Sequence, residues 1–494
     1  MGLIRFAVFP AAGTIDASAL QRGYLSGMDG RVYPTQIEIT DNVIACRRNS
    51  GESCKFHVPW DVPGIGTQVL NTASLPERDA PYVLAVELAR GKLVQVRNQA
   101  GAWELAGMIL PAEYAPAVAT AHRLFGRAAS SQDDPVAASE LAQQSLVHTC
   151  QAAQILSTAY ARQALAGRQQ RYPHLATLLG CGAQGELPAP QTELFTAAFS
   201  AVSVPIRWNE IERSDGEQDW SRVDEHIAWA EQQKLMIRGG PLVDLGPNGL
   251  PAWLSRWEND LFNLQSFVCD FVETAMARYI GKIRWWEVAA RFNTGGALTL
   301  NEETRLGLVA RVLEVARQVD EEAQLVVRVD QPWGEYQARG QHRLSPLQLV
   351  DALLRSCVGL AGINLEIAVG YLPRGTLNRD LLEFSRMIDQ WSLLGIPLFL
   401  TLALPSATTH DDRGVTELEV DPRVTPSEKQ QAEWIERFLP LLLAKPAVAG
   451  VDWCHFSDGE RHEFPHAGLL RPDGSPKPSL ESLLQFRHQP IRGM

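Results

Sequence analysis

The sequence predicts an α/β protein in which a (β/α)8 TIM barrel follows a small β-rich domain and a helical hairpin. From residue 172 onward, short apolar segments alternate with helical patterns of roughly 10 to 20 residues. Eight such segments, spread over about 320 residues, indicate a closed barrel rather than an open sheet. The chain has 494 residues, of which 45% are apolar, and this fits a large buried core.

The barrel is predicted over residues 172–494. In this fold the functional residues lie at the carboxyl ends of the strands. Candidate site residues are therefore sought at the ends of the predicted strands and in the loops after them. The eight predicted strands are residues 177–181, 201–208, 235–243, 283–289, 323–329, 362–369, 397–404 and 448–455.

A β-rich domain is predicted over residues 1–110. Residues 44–48 and 53–58 flank a turn-rich tetrapeptide, as the strands of a hairpin do, and one helix is expected over residues 82–96. Cys46 and Cys54 would then face each other, and two free thiols are expected in a reducing compartment. The domain is either a structural cap on the barrel or a carbohydrate-binding module.

A helical hairpin is predicted over residues 111–171. Apolar residues recur at helical spacing in residues 118–124 and 137–165, and a polar stretch at residues 130–135 separates the two. An amphipathic pair of this kind is expected to serve as a packing surface.

Composition excludes several classes of partner. The net charge of -12 leaves no basic stripe for nucleic acid or an acidic membrane. No run of eighteen apolar residues is present, and Arg5 and Pro10 interrupt the N-terminal apolar segment, so a cytoplasmic location is expected. The seven cysteines are scattered without CxxC spacing, so neither a zinc site nor a disulfide framework is indicated, and no cofactor is expected. A neutral or small polar ligand fits this composition.

Several segments of the predicted barrel form a recognisable pattern. They are residues 207–216 (Arg-Trp-Asn-Glu-Ile-Glu-Arg-Ser-Asp-Gly), 237–243 (Ile-Arg-Gly-Gly-Pro-Leu-Val), 251–254 (Pro-Ala-Trp-Leu), 450–453 (Gly-Val-Asp-Trp) and 476–478 (Pro-Lys-Pro). In this order and spacing they resemble glycoside hydrolase family 10, the xylanase family. The resemblance covers nearly the whole barrel and implies a carbohydrate ligand and hydrolysis of O-glycosidic bonds by two carboxyl groups about 5 to 5.5 Å apart.

The departures from this resemblance fall on the reacting groups. Residues 286–291 read Trp-Glu-Val-Ala-Ala-Arg where the family has Trp-Asp-Val-Val-Asn-Glu, so the resemblance puts Arg291 at the position of the acid. Residues 401–404 read Thr-Leu-Ala-Leu where the family has Thr-Glu-Leu-Asp, which puts Leu402 at the position of the nucleophile. Because arginine stays protonated, it cannot shuttle a proton at neutral pH. The resemblance therefore implies that the family's own mechanism is lost.

Relocated carboxylates are one way in which activity could be retained. Asp330 and Glu366 end neighbouring predicted strands, which lie about 4.8 Å apart, and Glu287 lies lower on the fourth strand. In a retaining version Asp330 would be the nucleophile and Glu366 the acid/base, or the roles would be exchanged. The alternative is a structural network in which one of these carboxylates neutralises Arg291.

A polar and aromatic cleft is predicted at the mouth of the barrel, because flat aromatic rings suit sugar rings. Core packing is the alternative for each tryptophan. His455 and its neighbours His462 and His466 lie in an irregular loop, so no metal site is expected. The two resulting hypotheses are a hydrolase of a β-linked glycan and a non-catalytic glycan-binding or structural protein. The predicted substrate-binding residues are Arg207, Trp208, Asp244, Trp253, Arg291, Trp333, Trp453 and His455.

Overall fold

A computed structural model describes residues 2–9, 17–172, 175–356, 359–415 and 418–488 of the protein. Two four-stranded sheets form its N-terminal region. The first sheet has the strand order β4-β5-β1-β8 and the second the order β3-β2-β6-β7. A short helix, α1 (Ala17–Leu20), precedes the second sheet. The strands are β1 (Gly2–Ala7), β2 (Tyr24–Ser26), β3 (Val32–Tyr33), β4 (Gln36–Thr40), β5 (Val43–Arg48), β6 (Lys55–Val62), β7 (Gly66–Asn71) and β8 (Tyr82–Val83).

The predicted hairpin between residues 44–48 and 53–58 is wrong. Strand β5 pairs with β4 and β1, whereas β6 pairs with β2 and β7 in the other sheet. Strands β4 and β5 form the hairpin that is observed instead. Its two-residue turn contains Asp41, which has a φ of 52°, a conformation that short polar residues tolerate. Cys46 and Cys54 therefore belong to different segments of the fold, and both are buried free thiols, as expected. Cys357 lies outside the described residues.

Three helices connect the sheets to the barrel: α2 (Leu84–Leu105), α3 (Tyr114–Ser130) and α4 (Pro135–Arg171). The helix predicted over residues 82–96 exists and is longer than expected. The predicted pair of long helices is confirmed. Helix α4 begins after Asp134, whose Oδ1 accepts the N–H of Ala137 at 3.2 Å. It packs against α2 and α3 on one side and against barrel helices on the other, so the pair serves as a packing surface.

The barrel closes because its first and last strands pair in parallel. Every predicted strand is present, and the third is interrupted and forms two segments. The strands, in order around the barrel, are β9 (Leu178–Gly182), β10 (Ala201–Val204), β11 (Met236–Gly239) with β12 (Val243–Asp244), β13 (Trp285–Ala290), β14 (Gln324–Asp330), β15 (Leu360–Ala368), β17 (Leu398–Ala403) and β19 (Val448–Trp453).

Helices surround the barrel on the outside. They are α5 (Ala189–Ala198), α6 (Trp208–Ile211), α7 (Ser221–Gln232), α8 (Leu261–Arg278), α9 (Glu302–Val319), α10 (Pro346–Arg355), α11 (Leu381–Ser392), α12 (Glu428–Ala444) and α13 (Pro478–His488), with 3-10 helices at Ala252–Trp257 and Glu335–Arg339 and a minor pair of strands, β16 (Tyr371–Leu372) and β18 (Glu419–Val420).

The second barrel strand is shorter than predicted. It ends at Val204 because Pro205 follows, and proline has no N–H for the strand ladder. Trp208, expected at the end of this strand, instead begins helix α6.

The N-terminal sheets dock on loops of the barrel. The N–H of Val69 donates to the carbonyl of Asn378 at 2.8 Å, and the N–H of Thr35 donates to that of Ala338 at 3.1 Å. Within the described ranges, none of the helices has the length and apolar character needed to cross a bilayer.

Candidate functional site

A cleft of about 470 Å³ opens at the C-terminal mouth of the barrel. Of the predicted binding residues, Arg207, Asp244, Arg291, Trp453 and His455 line it. The three predicted catalytic residues Glu287, Asp330 and Glu366 are buried and do not line it. The lining also includes charged residues that were not predicted, namely Arg213, Arg328, Asp452, Arg461 and Glu463.

Arg291 is the centre of this site. It directly follows β13, is only 3% exposed, and has a φ of 54°, which is strained for a residue with a side chain. Its guanidinium donates to Glu366 through Nε at 3.3 Å and through Nη2 at 2.9 Å. Nη1 lies 3.2 Å from Oδ2 of Asp244, and Nη2 lies 2.5 Å from Oε1 of Glu463. One buried cation thus holds three carboxylates from three different segments.

The charges in this cluster set the pKa values of its acids. Burial alone would raise the pKa of Glu463, but the charge of Arg291 outweighs it and holds that pKa at about 2. At Asp244 burial prevails over the same guanidinium, so its pKa is raised. The pKa of Arg291 lies well above its usual range, because the attraction of the three carboxylates exceeds the effect of burial. Arg291 is therefore permanently charged and is no proton donor.

A second group of ion pairs lies beneath the first. Nε of Arg328 lies 2.7 Å from Oε1 of Glu287, and its Nη1 lies 3.2 Å from Oε2 of Glu366, which joins the two groups. Glu287 also accepts a hydrogen bond from Asn364 at 2.6 Å. Arg238 pairs with Asp452 and lies 3.8 Å from Glu287. Buried charges are tolerated when they are paired in this way.

The three predicted catalytic carboxylates differ in their surroundings. Asp330 and Glu366 are direct neighbours in the register of β14 and β15, as the strand positions predict. Glu366 contacts Arg291, as the ion-pair alternative predicts, whereas Asp330 and Glu287 have other partners. Asp330 accepts the hydroxyl of Thr294 at 2.8 Å. Burial, reinforced by the charge of Glu366, raises its pKa to about 6. The catalytic role of these three carboxylates stays a prediction.

Asp330→Asn is expected to stabilise the protein at pH 8 by up to about 3 kcal/mol, because it removes a buried charge and keeps an acceptor for Thr294. The folded pKa of about 6 lies above the ordinary aspartate pKa of 3.8. As the pH falls, Asp330 therefore binds its proton in the native state before it does so in the unfolded state. The wild type gains stability between pH 6 and pH 3.8. The advantage of the variant should vanish below pH 4.

Urea unfolding at pH values from 4 to 8 measures this difference. Asp351→Asn, at an exposed helical ion pair with Arg355, is the matched control and should change the free energy of unfolding by less than about 1 kcal/mol. An Asp330→Asn variant that is less stable than the wild type at pH 8 would contradict the assignment of a raised pKa.

The predicted row of tryptophans at the mouth is mostly wrong. Trp208 is buried and stacks on Phe271 at 4.6 Å between ring centroids, and Trp253 meets Trp208 edge to face. Both fill the space between strands and helices, where large flat side chains pack well. Trp333 packs against Phe384 and lines a different cavity. Of the four tryptophans only Trp453 lines the cleft, and its Nε1 donates to a backbone carbonyl at 2.6 Å.

Three side chains in the loop after β19 have the composition of a metal site. The ligating atoms of His455, Asp458 and His462 lie within 4.8 Å of one another. Each already has a hydrogen-bond partner, and the ammonium of Lys477 lies 2.6 Å from Asp458. A metal ion would have to displace Lys477, so these residues do not fit one well, and the expectation of no metal stays a prediction.

Sequence reasoning missed Glu463 and Arg328. Glu463 lies in an irregular loop, where no periodicity tells which side chains turn inward. Arg328 could have been found, because it lies two residues before Asp330 on the same strand and such residues share a face.

Comparison with known proteins shows that the barrel is similar to glycosyl hydrolases. Residues 179–364 match the model of glycosyl hydrolase family 10. Endo-1,4-beta-xylanase 3 of Hypocrea jecorina is 31% identical over 126 residues, which are 25% of this chain and 35% of that protein. Endo-1,4-beta-xylanase B of Thermotoga neapolitana is 23% identical over 297 residues, which are 58% of this chain and 80% of that protein.

The fold agrees as well. A family 10 endoxylanase retrieved from sugarcane soil metagenome superposes with a TM-score of 0.50 at 16% identity, covering 63% of this chain and 97% of its own. The match to the Hypocrea xylanase covers only 35% of that protein's length. The barrel is similar to glycoside hydrolase family 10, as the motifs predict.

Proposed function

Because the barrel is glycoside hydrolase-like, we propose that this protein is a non-catalytic glycan-binding protein whose cleft takes a β-linked glycan. The observation that carries the proposal is the position of Arg291. It lies at the strand end where the resemblance puts the acid, and it forms ion pairs with Glu366, Asp244 and Glu463.

Hydrolysis needs a carboxyl group that carries a proton and a second carboxylate that is free to attack or to activate water. Arg291 cannot release its proton at neutral pH. Leu402, at the position implied for the nucleophile, is a buried apolar residue in β17. The two positions that would carry the reaction are thus occupied by a fixed cation and a hydrocarbon.

The cleft retains features of a ligand site. Its volume of about 470 Å³ lies within the usual range for small-molecule sites. Arg207 donates to Gln184 at 3.0 Å and is half-buried, so its guanidinium is positioned before any ligand arrives. Arg461 lines the cleft, is exposed, and has no ion pair among the residues that the structure describes. These groups suit the hydroxyl oxygens of a sugar.

One observation favours hydrolysis as a second candidate. Asp244 and Glu463 both line the cleft and their pKa values are shifted in opposite directions, upward for Asp244 and down to about 2 for Glu463. Such a divergent pair is typical of an acid and a base that act together.

Calorimetric titration with β-1,4-linked xylo-oligosaccharides, followed by chromatography of the mixture after long incubation, tests the proposal. Saturable binding without products is the expected result. Arg207→Ala should weaken binding about tenfold, since a charged hydrogen-bond donor is lost. Arg311→Ala, on the outer helix α9, should not.

If the wild type releases products and neither Asp244→Asn nor Glu463→Gln does so, the second candidate, hydrolysis, is favoured. Absence of both binding and products across a panel of β-linked oligosaccharides would overturn the proposal of a glycan site.

A further inference from the structure

A second cavity, of about 510 Å³, lies between the N-terminal sheets and the barrel. One wall is formed by strands β2, β3, β6 and β7, and the other by the loop after β14 and by helices α10 and α11. The two walls are joined by backbone hydrogen bonds, including that from Val69 to Asn378 at 2.8 Å. The protein's own backbone therefore holds the shape of the cavity, as is usual for ligand sites.

Cationic side chains outnumber carboxylates in this cavity. Arg31, Lys55, Arg379 and Arg386 line it, against Asp29 and Glu383. The protein as a whole has a net charge of -12, so the excess of cations is a local property of this cavity. A concave site with one sign of charge attracts ligands of the other sign.

Two of these cations are available to a ligand. Lys55 is half-buried, and in the described part of the chain its side-chain ammonium makes neither a hydrogen bond nor an ion pair. Arg386 lies 4.0 Å from Glu383, at the limit of an ion pair. Arg379 is already engaged, because it pairs with Glu335 at 2.7 Å. Burial and the charge of Arg386 lower the pKa of Lys55, so a bound anion would relieve an existing repulsion.

His57 lies beside a serine in this cavity but does not act as a general base. Its Nε2 lies 2.7 Å from the hydroxyl oxygen of Ser26, and its ring stacks on Tyr24 at 4.6 Å. Burial and the charges of Arg379 and Lys55 lower its pKa to about 3. An imidazole of such low basicity does not activate a serine at pH 7. The pair adds polar groups but no charge.

Part of the barrel-side wall is apolar. Leu347, Met387 and Trp391 line it beside the aromatic ring of Trp333. A cationic end and an apolar wall together suit a ligand that has an anionic group on an organic body.

We propose that this cavity binds a small organic anion, with its phosphate or carboxylate group on Lys55 and Arg386 and its body against the apolar wall. Phosphate and carboxylate share the chemistry that these cations recognise, and separate probes distinguish them. This site is distinct from the barrel cleft and does not depend on the glycan proposal.

Calorimetric titration at low ionic strength with glucose 6-phosphate, glucuronate and glucose tests the proposal. At least one of the two anions should bind in a saturable way, and added salt should weaken it. Lys55→Gln and Arg386→Gln should each weaken that binding about tenfold, while binding of neutral glucose to the protein should be the same in both variants and the wild type.

Lys429→Gln is the matched control, because Lys429 is exposed on helix α12 and pairs with Glu433 of the same helix. Circular dichroism and the melting temperature verify that each variant is folded. Failure of both anions to bind at millimolar concentration would overturn the proposal, as would binding that neither Lys55→Gln nor Arg386→Gln weakens.

Discussion

Arg291→Ala is expected to lower the free energy of unfolding by about 3 to 5 kcal/mol at pH 7, because it leaves buried carboxylates without their cation. Glu366 keeps Arg328 at 3.2 Å, but Asp244 and Glu463 lose the ion pairs at 3.2 and 2.5 Å that Arg291 provides. Equilibrium unfolding in urea measures the loss, and circular dichroism verifies that the variant starts from a folded state.

The deficit of Arg291→Ala should shrink as the pH falls. In the wild type the pKa of Glu463 is held at about 2, below the ordinary glutamate pKa of 4.5, so its contribution to stability is present above pH 4.5 and is lost toward pH 2. Without Arg291, burial is opposed less strongly, by the more weakly acting Arg374 and Arg207 in the case of Glu463, and the carboxyl groups take up protons at higher pH. The two proteins should therefore approach each other in stability below pH 4.5.

Arg311→Ala is the matched control, since Arg311 pairs with Glu314 at 2.9 Å on an exposed helix face. Its unfolding midpoint should stay close to that of the wild type. If Arg291→Ala proved as stable as Arg311→Ala, the carboxylates around Arg291 would have to be neutral in the native protein, and the ion-pair account of the site would fail.

The barrel could be predicted because its signals are periodic. Buried parallel strands are short and apolar, and the helices between them follow a different period, so all eight segments were found within a few residues. The same logic placed Arg291 at a strand end and set Asp330 opposite Glu366, since parallel neighbours end at the same edge of a sheet.

The site could be predicted only in part, because much of it depends on contacts that sequence does not encode locally. Trp208 and Trp253 were expected at the mouth, but whether a tryptophan faces a cleft or packs under a helix depends on the neighbouring elements. Glu463 comes from an irregular loop and reaches Arg291 across 172 positions (463 − 291). The predicted hairpin failed for a related reason, since its two strands had better partners in separate sheets.

Lys477→Met is expected to destabilise the protein by about 3 kcal/mol or more at pH 8. The ammonium of Lys477 is buried and donates to Asp458 at 2.6 Å and to Ser406 at 2.8 Å. Burial works against the charge of Asp458, but His455 and Lys477 outweigh it and hold its pKa well below the usual range. Methionine retains most of the side-chain volume, so the loss reports a buried carboxylate left without its cation.

This deficit should also depend on pH, through His455. Burial, with the charge of Lys477 among the further causes, lowers the pKa of His455 to about 4 from the ordinary histidine pKa of 6.5. The wild type therefore loses stability as the pH falls from 6.5 to 4, because the unfolded chain takes up a proton that the native state refuses. Without Lys477 the pKa of His455 should rise, and the imidazolium can then neutralise Asp458.

The variant should consequently recover part of its deficit between pH 7 and pH 5, and proton NMR of the imidazole should show the raised pKa directly. Lys429→Met is the control, because Lys429 lies on the surface in a helical pair with Glu433. A deficit that stayed constant from pH 8 to pH 5 would mean that His455 does not take over from Lys477. In that case the loop after β19 would be held by the hydrogen bonds of Lys477 to Ser406 and His466 rather than by its charge on Asp458.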